Sequence, residues 1–128
     1  MKLLLDTHAL LWFLLGDLKL SLPARAAIED NDNIILVSAV SAMEISTKHR
    51  IGKLPDATAI AGQLAAIVPA RGFVGLDITT AHGDLAGLLP FDHRDPFDRL
   101  LIAQAQIEQA QLVSNETLFD RFSVRRLW

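Results

Sequence analysis

Four acids stand where this sequence can do chemistry: Asp6, Glu44, Asp98 and Glu116, each just past a short apolar run or in the first turn of a predicted helix. Asp6 directly follows the run 2–5, with Thr7 beside it. Glu44 comes after a second, β-branched run at 34–37, in Val37-Ser38-Ala39-Val40-Ser41-Ala42-Met43-Glu44, where Ser41 and Glu44 have the spacing of a capping box. Asp98 belongs to Asp95-Pro96-Phe97-Asp98, which reads as an N-cap, a proline at the first helical position and an acid at the third. Glu116 opens the segment after the run 112–114, with Asp120 as a competitor for the same role. Taken singly, each acid has an ordinary structural reading as a cap or a first-turn acid. Taken together they converge on one edge of the fold, and clustered carboxylates repel one another unless positive charge is near. A hard divalent cation, whose preferred ligands are oxygens, is the simplest source of it. The helix N-termini would soften the repulsion and keep capping compatible with metal binding.

The remaining candidates are supporting ones. The chain has no cysteine and no helical histidine pair, which removes the usual zinc donors. His8 and His93 lie beside acids and read as structural or orienting residues rather than ligands. Thr7 and Ser114 can orient a ligand or a water, or simply cap. Trp12 and Phe13 read as core.

These residues must be positioned by alternating strands and helices. Apolar runs predict strands at 2–5, 34–37, 73–78 and 112–114, with a last strand around 124–127. Helical spacing falls at 8–15, 23–29 with Pro23 in the first turn, 42–51 ending near Gly52, 57–68, 80–89 and 96–110. Strands that are apolar throughout and alternate with helices point to an α/β fold: a parallel sheet of four to five strands covered on both faces. In such sheets ligands bind beyond the carboxyl ends of the strands, where the strand order reverses, and the four acids fall at that edge.

At 128 residues, without repeat, linker or low-complexity segment, the chain is expected to form one domain. Hydrophobic residues make up 51%, enough to fill a buried sheet and leave apolar surface for a partner. Asp6 and His8 interrupt the opening apolar run before it resembles a secretion signal, and 9–15 is far too short to cross a bilayer, so a soluble protein is expected. The absence of cysteine excludes disulfides and thiolate chemistry and fits a reducing, cytoplasmic setting. A net charge of −3 excludes a broadly basic surface; nucleic-acid binding would depend on local basic clusters and bound cations.

Three stretches resemble the PIN-domain nucleases, particularly bacterial toxins of the VapBC type. They are Leu4-Leu5-Asp6-Thr7-His8-Ala9-Leu10-Leu11-Trp12; Val37 to Ile45 with Lys48, Gly52, Lys53 and Leu54; and His93-Arg94-Asp95-Pro96-Phe97-Asp98-Arg99 running on to Ala105. The resemblance implies a three-layer α/β/α PIN-like fold and hydrolysis of RNA phosphodiester bonds by Mg²⁺ or Mn²⁺ held on Asp6, Glu44 and Asp98. Relatives usually carry Asp where this chain has Glu116, which leaves metal number and geometry open. Lys48, Arg50, Lys53, Arg94 and Arg99 lie near these stretches as candidate phosphate contacts. A homodimer and a cognate antitoxin covering the cleft are also implied, with the helices at 8–15 and 42–51 as candidate surfaces. Two rivals remain. One is a catalytically weak or inactive antitoxin-binding module on the same fold. The other is a metal-dependent phosphotransfer domain with Asp6 as nucleophile, against which stands His8 where a second acid is usual.

Overall fold

A computed structural model describes residues 1–90 and 92–128. Five strands, β1 (Lys2–Leu5), β2 (Ile34–Ser38), β3 (Val74–Leu76), β4 (Gln111–Val113) and β5 (Arg126–Leu127), form one sheet in the order β3-β2-β1-β4-β5. Every pairing is parallel, with Leu3 opposite both Ile35 and Gln111, and Leu5 opposite both Val37 and Val113. The chain winds outward from β1 through β2 to β3, then returns to the other side of β1 for β4 and β5. The strand order therefore reverses between β1 and β4.

Leu3, Leu4 and Leu5 are fully buried, which a strand can achieve only when both faces of its sheet are covered. Alternation then sends them to opposite sides. Leu3 and Leu5 join a core with residues of α1 (Thr7–Leu15), α2 (Leu22–Glu29) and α4 (Leu64–Ala70). Leu4 joins a second core with Leu112, Phe119 and the inner face of α6 (Pro96–Ile107), against which α5 (Thr80–Leu88) lies. The helix α3 (Ala39–Arg50) gives Ile45 to the first core and Val40 to the second. The result is the expected α/β architecture with a five-stranded parallel sheet. No helix among the described residues is long and apolar enough to cross a membrane.

Local differences from the sequence pattern have identifiable causes. The third helix begins at Ala39 rather than 42 because Ser38, not Ser41, is its N-cap, with Ser38 Oγ accepting from the Val40 N–H at 3.0 Å. The capping box expected for Ser41 and Glu44 is therefore not formed. The box that does form opens α5, where Thr79 Oγ1 accepts from the His82 N–H and His82 Nδ1 accepts from the Thr79 N–H. The helix expected at 57–68 is divided into a 3₁₀ turn (Pro55–Ala57) and α4 (Leu64–Ala70). Gly62, at φ +77°, takes the left-handed conformation that interrupts it. Ala57, Ile60, Leu64 and Val68 nonetheless all enter the same core, which is why the period runs across the break. The strand expected at 73–78 shortens to Val74–Leu76, and the last strand to Arg126–Leu127; both lie at sheet edges, paired on one side only.

Arg99 is the largest departure. Its Nε donates to the Ala86 carbonyl at 2.9 Å, and its terminal nitrogens donate to the carbonyls of Leu89 (2.8 Å), His93 (3.0 Å) and Gly87 (3.3 Å). The last turn of a helix leaves carbonyls without intrahelical partners, and here a neighbouring helix supplies the donors for α5. Arg99 is thereby a structural clamp and not the phosphate contact its position suggests.

Candidate active site

The edge where β1 and β4 end is built by backbone bonds first. Asp6 N–H still belongs to the sheet, donating to the Val113 carbonyl at 3.0 Å, while Asp6 Oδ1 accepts from the Ala9 N–H at 2.7 Å as the N-cap of α1. One residue thus closes a strand and opens a helix, and its carboxylate is fixed at the sheet's carboxyl end with only 5% exposure. Burial pushes this carboxyl up to about 6, against the opposing hydrogen bonds from Ser114 and the Ala9 N–H and the nearby His8. The charge of Asp98 pushes in the same direction as burial.

Glu44 lies one turn further into α3 than a capping role would place it, and is buried. Its Oε1 accepts from Thr7 Oγ1 at 2.6 Å, and Thr7 in turn lies 3.1 Å from Ser41 Oγ. Its Oε2 meets Lys48 Nζ at 2.5 Å, an i,i+4 ion pair along the helix. Asp98 sits at the third position of α6, after the N-cap Asp95 and Pro96, as the sequence implies. Asp98 Oδ2 lies 2.7 Å from His93 Nε2. Burial raises the Asp98 carboxyl above its ordinary range, the His93 bond opposes this, and the charges of Asp95 and Glu44 add to it. Asp98 therefore links Asp6, which it pushes up, to Glu44, which pushes it up, two acids 38 positions apart in the chain.

A cavity of about 120 Å³ is lined by five acids, Asp6, Glu44, Asp95, Asp98 and Glu116. All four acids predicted from sequence share it, although Glu116 is exposed, in the connection after β4, whereas Asp6 and Glu44 are buried. The competitor Asp120 is elsewhere: it is exposed, holds Arg126 through both oxygens at 2.9 and 3.2 Å, and is kept below the usual carboxylate range by that guanidinium. Asp95 was legible only as a cap; its place on the cavity wall depends on how α6 meets the sheet. His8 also lines the cavity, its ring 5.5 Å from Trp12, in keeping with a supporting role. Trp12 and Phe13 lie partly buried against the first core, as read from sequence. Of the basic candidates, Lys48 lines the cavity, while Arg50, Lys53 and Arg94 are exposed outside its wall.

As the side chains stand, no three acid or histidine groups among the described residues are gathered to ligate a common ion. Each of the three carboxylates is engaged by a partner of its own: Ala9 and Ser114 for buried Asp6, Thr7 and Lys48 for buried Glu44, His93 for half-buried Asp98. The donor set still fits a hard cation. It is carboxylate oxygen throughout, and ions of the Mg²⁺ type take one or two carboxylates, keeping water and substrate oxygens for the rest. Two of the carboxyls, Asp6 and Asp98, are raised by burial and by the charge of neighbouring acids, a condition a cation would relieve.

A parallel, doubly covered sheet with a pocket walled mainly by carboxylates at the reversal of its strand order defines the class of this chain as an α/β domain with a switch-point site. The chain belongs to the PIN domain family, which it matches over residues 3–124. No protein of curated function matches it in sequence. Among solved structures it is similar to VapBC2 from Rickettsia felis, crystallised with a promoter DNA fragment (18% identity, 99% of this chain and 98% of that one, TM-score 0.65). It is also similar to Mycobacterium tuberculosis VapC20, a toxin that cleaves the sarcin-ricin loop (17%, 93% and 93%, 0.66). A third is FitAcB from Neisseria gonorrhoeae (16%, 98% and 96%, 0.63). At these identities the likeness concerns the fold.

Proposed function

We propose that this chain is a divalent-metal-dependent endoribonuclease, the toxin of a VapBC-type toxin-antitoxin pair. The observation that carries the reading is the convergence of Asp6, Glu44, Asp98 and Glu116, from four separate segments of the chain, on one cavity at the switch point. Mg²⁺ or Mn²⁺ held there would lower the pKa of a bound water and offset charge developing on the scissile phosphate. The chain's own residues do the positioning. The sheet ladder and the helix cap fix Asp6, Thr7 turns Glu44, and His93 sets the rotation of the Asp98 carboxylate. Five acids around one small cavity repel a polyanion, so RNA binds productively only when cations are present and when the exposed Arg50, Lys53 and Arg94 meet flanking phosphates.

The partner reading has its own support. A second cavity of about 310 Å³ lies between the end of α1 and α4, lined by Leu14, Leu15, Ile60, Ile67 and Ala70. It includes part of the 8–15 helix read from sequence as a docking surface for an antitoxin. Leu18 and Leu22 are exposed just beyond it in the chain, at 95% and 80%. A homodimer belongs to the same reading; light scattering on the purified chain checks it.

The direct test is incubation with defined structured RNAs, including a sarcin-ricin-type hairpin, with Mn²⁺ or with EDTA. Cleavage is expected with Mn²⁺, absent in EDTA, and absent for Asp98→Asn. The same assay separates the fourth acid from its competitor. Glu116→Gln is expected to slow cleavage by roughly tenfold, the scale of a residue that tunes rather than anchors a metal site, whereas Asp120→Asn leaves it unchanged. The alternative, an antitoxin-binding module without activity, draws on the engagement of every buried carboxylate by a protein partner. It predicts no cleavage under any of these conditions.

A further inference from the structure

We infer that Lys48 is a displaceable internal counter-ion of the acidic site, occupying Glu44 until a divalent cation takes over, and that it thereby sets the affinity of the site for that cation. The inference rests on the metal-binding reading above and goes beyond it by assigning the competitor. Both oxygens of Glu44 are taken: Oε1 by Thr7, Oε2 by the Lys48 ammonium at 2.5 Å. The two partners differ in kind. Thr7 is buried, bonded on its other side to Ser41, and cannot leave. Lys48 reaches the cavity wall from one helical turn away, and its side chain is 33% exposed, so it has a path into solvent.

An ordinary exposed Glu–Lys pair at i,i+4 is worth a few tenths of a kcal/mol. This pair is different because the Glu44 side chain is only 8% exposed, and a buried carboxylate without a partner is costly. Apart from His8, Lys48 is the basic residue among the described residues that line the cavity, facing five acids. An ammonium on a flexible stem is also the easier group to release, whereas a guanidinium would grip a carboxylate with two parallel bonds. Divalent binding at Glu44 must therefore displace Lys48, and the competition lowers affinity.

The test uses the full chain, Lys48→Met and Lys48→Arg, titrated calorimetrically with MnCl₂ alone at low ionic strength. Lys48→Met is expected to bind Mn²⁺ roughly threefold to fivefold more tightly, the scale of removing one nearby, solvent-accessible charge, while Lys48→Arg binds no more tightly than wild type. Thermal unfolding supplies a second readout. Lys48→Met should melt lower than wild type in EDTA and level with it in saturating Mn²⁺. A merely structural ion pair would cost the same in both conditions and leave the Mn²⁺ titration unmoved. If wild type takes up Mn²⁺ and Lys48→Met binds it equally or more weakly, the counter-ion role is overturned while the metal site stands. If wild type takes up none, the metal reading fails, and the counter-ion role fails with it.

Discussion

Replacing Asp6 with Asn is expected to abolish Mn²⁺-dependent RNA cleavage and, in EDTA at pH 8, to make the protein more stable than wild type. The two effects share a cause. Asp6 is held in a buried position that disfavours its charge, its carboxyl raised from an ordinary 3.8 to about 6. For such a group the favourable contribution of the neutral form is fully present below 3.8 and lost as pH rises through about 6, so above pH 6 the folded state carries an ionised carboxylate at a cost. At about 1.4 kcal/mol per pH unit, that cost is about 3 kcal/mol. Asparagine removes it and keeps the Ala9 cap, while giving up the charge's interactions with Ser114, His8 and the helix N-terminus, leaving a gain of about 2 kcal/mol, or roughly 5–8 °C in melting temperature. The gain should vanish near pH 4, and saturating Mn²⁺ should stabilise wild type but not the variant. Cleavage should fall by at least about 100-fold, beyond the 10–100-fold typical of residues that only support a ligand. An Asp6→Asn protein that cleaves normally would remove Asp6 from the site. One that melts with or below wild type at pH 8 would show that the buried charge is compensated in the fold.

Arg99→Ala is expected to destabilise the protein by about 2–4 kcal/mol, because four carbonyls lose a charged donor at once. Urea unfolding should show the midpoint falling, with Arg99→Lys recovering less than half, since an ammonium cannot satisfy the same fork. The clamp joins the end of α5 and the carbonyl of His93 to the first turn of α6, where Asp98 lies, so cleavage should weaken as well. Had Arg99 been a phosphate contact, the variant would unfold like wild type and show only a raised KM for RNA. That pattern would overturn the structural assignment.

These two residues mark where sequence reading succeeds and where it stops. Asp6 was legible because a strand buried on both faces announces itself as Leu3-Leu4-Leu5 and leaves little choice for where the next side chain falls. Asp98 was legible because Asp95 and Pro96 fix the first turn of α6 to the residue. Glu44 was found for a partly mistaken reason. Ser38 and Ser41 are both plausible caps, and only the packed helix shows that Ser41 faces Thr7 instead. Arg99 was misread because its partners are backbone carbonyls, which carry no sequence signal. The break at Gly62 was hidden because the residues on either side still point into one core. Lys48 was read as a candidate phosphate contact; its engagement of Glu44 matters because Glu44 is buried, which spacing alone does not reveal.

The bond from the Asp6 amide to Val113 locks one wall of the pocket to the centre of the sheet, between two interior strands. Glu116, by contrast, is tethered through its own amide to the Ser114 hydroxyl, on a short irregular connection facing water. The pocket thus has a stiff half and a compliant half. A longer or shorter side chain at position 116 can be absorbed by that compliant half while the backbone that holds Asp6 keeps its place in the sheet.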